Sequence, residues 1–394
     1  MNKPRQFQIH VAQSEIAALR ERLLSVRWPD EVNDEVWSYG MRRAYLQELV
    51  SYWRDTFDWP QREASINELD QFLIDIDGLD LHFIHQRSTH KDATALLLTH
   101  GWPGSIVEFL EVIPRLTDPE RFGGSAQDAF HVVCPSLPGY GYSAAAHVPG
   151  MHPGKIAARH AKLMASLGYD KYIAQGGDWG SIITQRLAQM DASHCRAIHL
   201  NFLPPIPPAN LGHSMHDLSE REIEWIRANE VYERTGKGYM HIQRTRPQTL
   251  AYALSDSPVG LCAWIAEKFH FWADVERGGS REIRNAISWD QLLTNVSLYY
   301  FTGTIGSSIR LYREFIEALA RHDMEPSAYL STSTGIAVYP GEVPKCPRSW
   351  AEKTCNLVHW FEAERGGHFA AMEQPQIFVE DLWNFHKRIL LTSS

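Results

Sequence analysis

Asp178 lies in "AQGGDWGSII" (174–183), where an apolar run that reads as a strand meets one that reads as a helix. The small-x-acid-x-small pattern Gly176-Gly177-Asp178-Trp179-Gly180 has the outline of a nucleophile elbow, with a carboxylate where an esterase carries serine. An aspartate that merely caps the following helix would suit the same junction. Small residues at both 176 and 180 favour the elbow, because so sharp a turn crowds its neighbours, and the helix N-terminus favours an ionised carboxylate. A carboxylate needs no base to activate it, yet its attack on an ester or amide would give an anhydride. Attack at an sp³ carbon gives an ordinary alkyl ester, so the substrates to expect carry a strained or good leaving group: epoxides or alkyl halides.

Water must then cleave that ester. His368, in "ERGGHFAAMEQP" after the last apolar run, stands where a general base could deprotonate the water. Glu342, in "VYPGEVP" at the end of the preceding run, could hold the imidazole in the working tautomer, with Glu362 and Glu364 as competitors for that place. Asp178, Glu342 and His368 follow the order nucleophile, acid, histidine of the α/β-hydrolase triad. Cleavage of the ester develops an oxyanion, which calls for preorganised donors. The backbone N–H of Trp179, next to the aspartate, and that of Trp102, in "HGWPGS", are the candidates.

Such a set can meet only at the carboxyl ends of neighbouring parallel strands. "TALLLTHGWPG" (94–104), "FHVVCPSLPGYGYS" (130–143) and "DKYIAQGGD" (170–178) are short apolar runs ending in turn residues, as strands buried on both faces should look. "FLIDIDGLDLHFIHQRS" (72–88) alternates about Asp77-Gly78 and reads as a β-hairpin. "GKIAARHAKLMASLG" (154–168) is a helix between strands, and the alternation predicts a mostly parallel, doubly wound α/β sheet. Ahead of it, 14–28 and 41–57 read as amphipathic helices expected to pack against the core. Ser14 is the candidate N-cap of the first, and Leu46, Leu49, Val50, Trp53 and Phe57 mark one face of the second. After 199–208 the strands stop until "TGIAVYP" (334–340), and "LVHWFEAERGGHF" (357–369) completes the sheet. The expected division is a helical extension at 1–70, a core at 71–205 and 326–394, and a helical lid at 206–325.

Length and composition exclude several classes. The 394 residues, 44% hydrophobic, can bury a large core, and a net charge of −9 without a basic run argues against nucleic acid. The five cysteines are scattered, without disulfide or metal-ligand spacing, and no segment is apolar for 18 residues, which points to a reducing, cytoplasmic setting without an integral membrane segment. The expected partner is a small molecule, with no cofactor and no metal; a homodimer is left open.

Taken together, "HGWPGS", "LPGYGYS", "GGDWG", "RGGHFAA" and the opening "FQIHVAQSEIAALRERLLSVRWPDE" make the chain resemble the microsomal-type epoxide hydrolases, the family that includes the juvenile hormone epoxide hydrolases. The resemblance covers almost the whole chain and implies the α/β-hydrolase fold with a helical lid and amino-terminal extension. It implies two lid tyrosines that hydrogen-bond the epoxide oxygen, which match Tyr239 in "GKGYMHIQ" and Tyr312 in "GTIGSSIRLYREF". Glu342 matches the family's triad acid. The membrane-bound members carry an anchor helix ahead of the extension, so the chain is more similar to soluble bacterial members. A haloalkane dehalogenase is the runner-up, since it too resembles an α/β hydrolase with Asp followed by Trp; Trp102 stands where that family usually has Asn. A hydrolase-fold protein that binds a ligand without turning it over is the third reading. The lid aromatics Trp225, Trp264, Phe269, Phe271 and Trp272 raise the expectation of a bulky apolar or aromatic substrate.

Overall fold

The computed structural model describes residues 2–33, 37–208, 218–276, 281–324 and 329–392. Nine strands form one sheet: β1 (Arg5–Phe7), β2 (Gln71–Ile76), β3 (Leu79–Gln86), β4 (Thr94–Thr99), β5 (Phe130–Pro135), β6 (Tyr172–Gly176), β7 (Cys195–Leu200), β8 (Leu330–Val338) and β9 (Cys355–Glu362), in the order β1-β2-β3-β5-β4-β6-β7-β8-β9. From β5 through β9 every pairing is parallel, while β1, β2 and β3 run antiparallel. The β2–β3 hairpin closes at Asp77-Gly78, whose φ angles of 53° and 77° are the left-handed values a two-residue turn of this twist requires. The central strands β4 to β7 are almost wholly buried, which explains their unbroken apolar runs.

Helices Pro153–Ser166 and Asp178–Met190 pack on each other, and Asp178–Met190 also lies along β6, β7 and β8. Pro375–Thr392 packs on β7, β8 and β9 together with Val112–Thr117. Between β7 and β8 stand the helices Glu220–Thr235, Gly238–Thr245, Pro247–Asp256, Pro258–Trp272, Trp289–Thr302 and Ile305–Ala320. Of the lid segment expected at 206–325, residues 209–217, 277–280 and 325 lie outside the described residues.

The helical opening departs from expectation in two ways. Ser14 is not a cap: the first helix is Gln13–Leu24, preceded by Ala12, and no side chain caps it. The opening also packs mainly on the inserted helices rather than on the sheet. Trp53 Nε1 donates to Ser297 Oγ at 2.9 Å, Trp289 Nε1 to Tyr45 OH at 3.0 Å, and Trp59 packs on Phe301 at 5.0 Å between ring centres. The physical reason is chemical matching: the buried faces of both segments are rich in Trp and Tyr, whose rings pack together while each polar tip finds a hydroxyl. A further helix, Trp59–Ile66, capped by the Asp58 carboxylate on the Gln61 amide at 3.1 Å, was not legible in the periodicity.

Candidate active site

Asp178 is the first residue of its helix, and its φ of +48° is a left-handed value that a non-glycine residue adopts at a cost. The capping position belongs to Gly177, so the aspartate does not cap the helix. Gly180 makes the elbow possible, because a Cβ there would overlap the Thr99 carbonyl at the end of β4. The Asp178 side chain points back at the loop after β4, where the Trp102 amide donates to its Oδ1 at 2.7 Å. The Trp179 amide is the second donor, and the two bonds oppose the burial that raises this carboxyl's pKa.

His368 presents Nε2 to Asp178 Oδ2 at 3.6 Å, while its Nδ1–H donates to both oxygens of Glu342 at 2.9 Å. Burial works against a charged imidazole here. The Glu342 carboxylate outweighs it through its charge and hydrogen bond, with help from Asp178, and lifts the ring to about 9. Of the competing acids, Glu362 is bound instead by Arg221 and by the Trp360 indole at 2.9 Å.

The two tyrosines come in from the inserted helices. Tyr239 stacks on Trp102, with centroids 5.4 Å apart and planes 9° from parallel, and Tyr312 meets Trp179 edge-on at 4.8 Å. Their own rings lie 5.9 Å apart. Both phenols are buried and held well above their ordinary pKa, first by desolvation and then by neighbouring charge, that of Tyr232 and Asp178 on Tyr239 and that of Tyr239 and Asp178 on Tyr312. The Tyr312 hydroxyl and the indole N–H groups of Trp102 and Trp179 are buried without a hydrogen-bond partner. Buried donors that lack an acceptor in the protein cost free energy, and an entering acceptor would relieve that cost.

Of the inserted aromatics, Trp272 reaches the site, 4.9 Å from His368 and 5.3 Å from Tyr239 between ring centres. Phe269 packs behind it on Phe369, Trp264 donates to Gln243 Oε1, Trp225 lies under Arg221, and Phe271 is 42% exposed. The inserted aromatics other than Trp272 are thus packing residues and say little about substrate size.

Sequence reasoning passed over two acids, the buried Glu373 and the half-buried Glu108. Glu373 accepts the Phe369 amide at 2.9 Å and the Asp274 amide at 2.8 Å, which fixes the backbone beside His368 to the inserted helices. His368 N–H donates to the Trp272 carbonyl at 2.9 Å in the same seam. Glu108 accepts from the Gly101 amide beside Asp178; burial raises it to about 8, as it raises Glu373. A signal for Glu108 existed, since it interrupts the apolar run "SIVEFL". Among the described residues no group of three or more His, Cys, Asp or Glu side chains could hold a metal, and no helix is long and apolar enough to cross a membrane.

Fold and site together define an α/β hydrolase with aspartate at the elbow position. Residues 4–109 match the family model for the epoxide hydrolase N terminus, and 94–219 the model for the alpha/beta hydrolase fold. A protein of Stigmatella aurantiaca is 45% identical, covering 95% of this chain and 83% of its own. Epoxide hydrolase 1 of Sus scrofa is 38% identical, with 97% of this chain and 88% of the pig protein covered. The crystal structure of the juvenile hormone epoxide hydrolase of Bombyx mori superposes with a TM-score of 0.91 at 29% identity, over 100% of this chain and 96% of that one. The chain belongs to the epoxide hydrolase family.

Proposed function

We propose that the protein converts lipophilic epoxides to vicinal diols through an ester on Asp178, without cofactor or metal, and that the inserted helices form the lid of the site. The observation that carries this reading is the division of labour between the Asp178 oxygens. Oδ1 is engaged by the Trp102 amide, while Oδ2 faces His368 and is the oxygen free to attack. Oδ2 opens the ring from the back, and Tyr239 and Tyr312 hold and protonate the epoxide oxygen. An alkoxide, whose conjugate acid has a pKa of about 15.7, is a strong base toward a phenol, ordinarily near ~10, and burial narrows that difference at both tyrosines. Oδ1 then becomes the ester carbonyl oxygen, already seated where the Trp102 and Trp179 amides can bear its charge when water attacks.

The electrostatics suit two steps. Before attack, Glu342 and Asp178 keep His368 protonated at neutral pH. Esterification removes the Asp178 charge, so the imidazole loses part of what holds its proton and becomes a base for water, still oriented by Glu342. Trp102, Trp179 and Trp272 wall the site with apolar surface, which favours a lipophilic substrate. The five buried, unpaired cysteines fit a reducing cytoplasm.

The dehalogenase reading keeps one observation in its favour: the unpartnered indole N–H groups of Trp102 and Trp179 could bind a halide. One experiment separates the two. The His368→Gln variant is incubated with styrene oxide or a bromoalkane and its intact mass measured. An adduct of the whole epoxide mass, absent when Asp178→Asn is added, is the expected result. An adduct from the bromoalkane alone, lighter than the reagent by HBr, would make the protein a dehalogenase, and no adduct from either would sink the Asp178 ester.

A further inference from the structure

Lys268 lies within helix Pro258–Trp272 with 7% of its side chain exposed, a rare position for a lysine. Most lysines near a surface thread the ammonium out to water. This one turns it inward. Nζ pairs with the neighbouring Glu267 carboxylate at 2.5 Å and stands 4.4 Å from the centre of the Tyr239 ring, with the Trp272 and Trp264 rings at 5.7 and 6.0 Å. Three aromatic faces thus surround one buried cation, and one of them belongs to a phenol assigned above to the epoxide oxygen. The ring partners of Tyr312 are uncharged: Trp102, Trp179 and Tyr239. The two phenols are therefore not equivalent.

We propose that Lys268 is a positioning residue for ring opening, whose charge over the Tyr239 ring makes that phenol the principal proton donor to the epoxide oxygen. This rests on the role given to Tyr239 above. As Asp178 Oδ2 bonds to the ring carbon, the carbon–oxygen bonding pair moves to the epoxide oxygen, which takes the Tyr239 proton and leaves a phenolate. A phenolate in a buried site costs far more than one in water, and a cation beside it offsets that cost most where the surroundings are dry. The proton that His368 gives up after esterification restores the phenol, so the cycle closes with epoxide and water consumed and diol released.

The charge has a pH signature. Burial lowers the pKa of Lys268, with Glu267 pulling the other way, so it loses its proton earlier than a free lysine would. The groups facing it are Glu267 and Tyr239, the latter coupled in turn to Tyr232, Tyr312 and Asp178. Ring opening should accordingly weaken on the alkaline side as the ammonium is lost.

Single-turnover kinetics with styrene oxide, followed by tryptophan fluorescence, separates ester formation from ester hydrolysis. Lys268→Met should slow ester formation about tenfold, leave hydrolysis unchanged and erase the alkaline limb. Lys268→Arg should restore most of the rate and move the limb to higher pH. In a Tyr239→Phe background Lys268→Met should add nothing, since the cation would have no phenol to act through. A merely structural lysine predicts equal losses in both steps, an unmoved limb and an additive effect on Tyr239→Phe, and any of these overturns the proposal. Should Lys268→Met fail to fold, the limb of Lys268→Arg decides, and a limb at the wild-type pH overturns it. Wild-type protein that forms no ester with epoxides removes the reading of the site itself, and this inference with it.

Discussion

The two walls of the site are held by different forces. On the sheet side, Asp178, Glu342 and His368 are fixed by directional bonds: backbone amides on the carboxylate, a carboxylate behind the imidazole, and Glu373 gripping the backbone next to His368. On the helical side, Tyr239 and Tyr312 are held by ring contacts with Trp102, Trp179 and Trp272, and the Tyr312 hydroxyl has no partner. Hydrogen bonds set distance and direction together, whereas packed rings set position and leave a hydroxyl free to turn toward whatever acceptor enters. The first wall suits the nucleophile and base of the proposed mechanism, which must not move. The second suits the proposed proton donors, whose hydroxyls must turn to the epoxide oxygen.

That contrast can be broken most forcefully from the helical side. Replacing both tyrosines with Phe should slow ester formation about 10⁴-fold, and either alone by less, Tyr239→Phe more than Tyr312→Phe, in single-turnover measurements where hydrolysis of the preformed ester keeps its rate. A single Tyr→Phe change that slowed hydrolysis instead would show that the phenols serve the other wall's step. Packing tests come next in size. Gly180→Ala pushes a Cβ into the Thr99 carbonyl and should lower stability by about 2 kcal/mol in urea unfolding. Gly238→Ala, at the start of the Tyr239 helix with open space around it, should be neutral or stabilising by about 0.5 kcal/mol. Equal losses at both positions would erase the distinction between a tightly set elbow and a tolerant inserted helix.

The smallest effect is electrostatic and belongs to the sheet side. His368 is raised from 6.5 to about 9 in the folded protein. A group whose pKa is higher when folded stabilises the fold fully below its unfolded value and loses that contribution as pH climbs through the folded one. The stability gap between wild type and His368→Gln should therefore be largest below about pH 6.5 and close as pH rises through about 9. Thermal unfolding over that range measures it. A gap that widens with pH would mean that His368 is neutral in the resting site.

Legibility followed the same division. The parallel core, its hairpin and the placing of Asp178, Glu342 and His368 at strand ends could be read because a strand buried on both faces must be written as an apolar run, and a sharp elbow must be flanked by glycines. Tyr239 and Tyr312 could not be singled out by pattern among 15 tyrosines and came through family resemblance. Lys268 and Glu373 left less trace, since a charge on an amphipathic helix reads as solvent-facing until the partner that buries it is known.

By itself the amino-acid sequence determined what is local: strand and helix periods, the Asp-Gly turn, the small residues around Asp178, and a carboxylate that favours attack at saturated carbon over acyl transfer. Tertiary structure alone decided which residues meet. It chose Glu342 over Glu362 as the partner of His368, set the helical opening on the inserted helices, turned all but Trp272 of the five inserted aromatics away from the core of the site, and brought a lysine ammonium over a tyrosine ring. Those outcomes depend on distances between segments far apart in the chain, and hydrophobic periodicity fixes which face of a segment is buried without fixing what it is buried against.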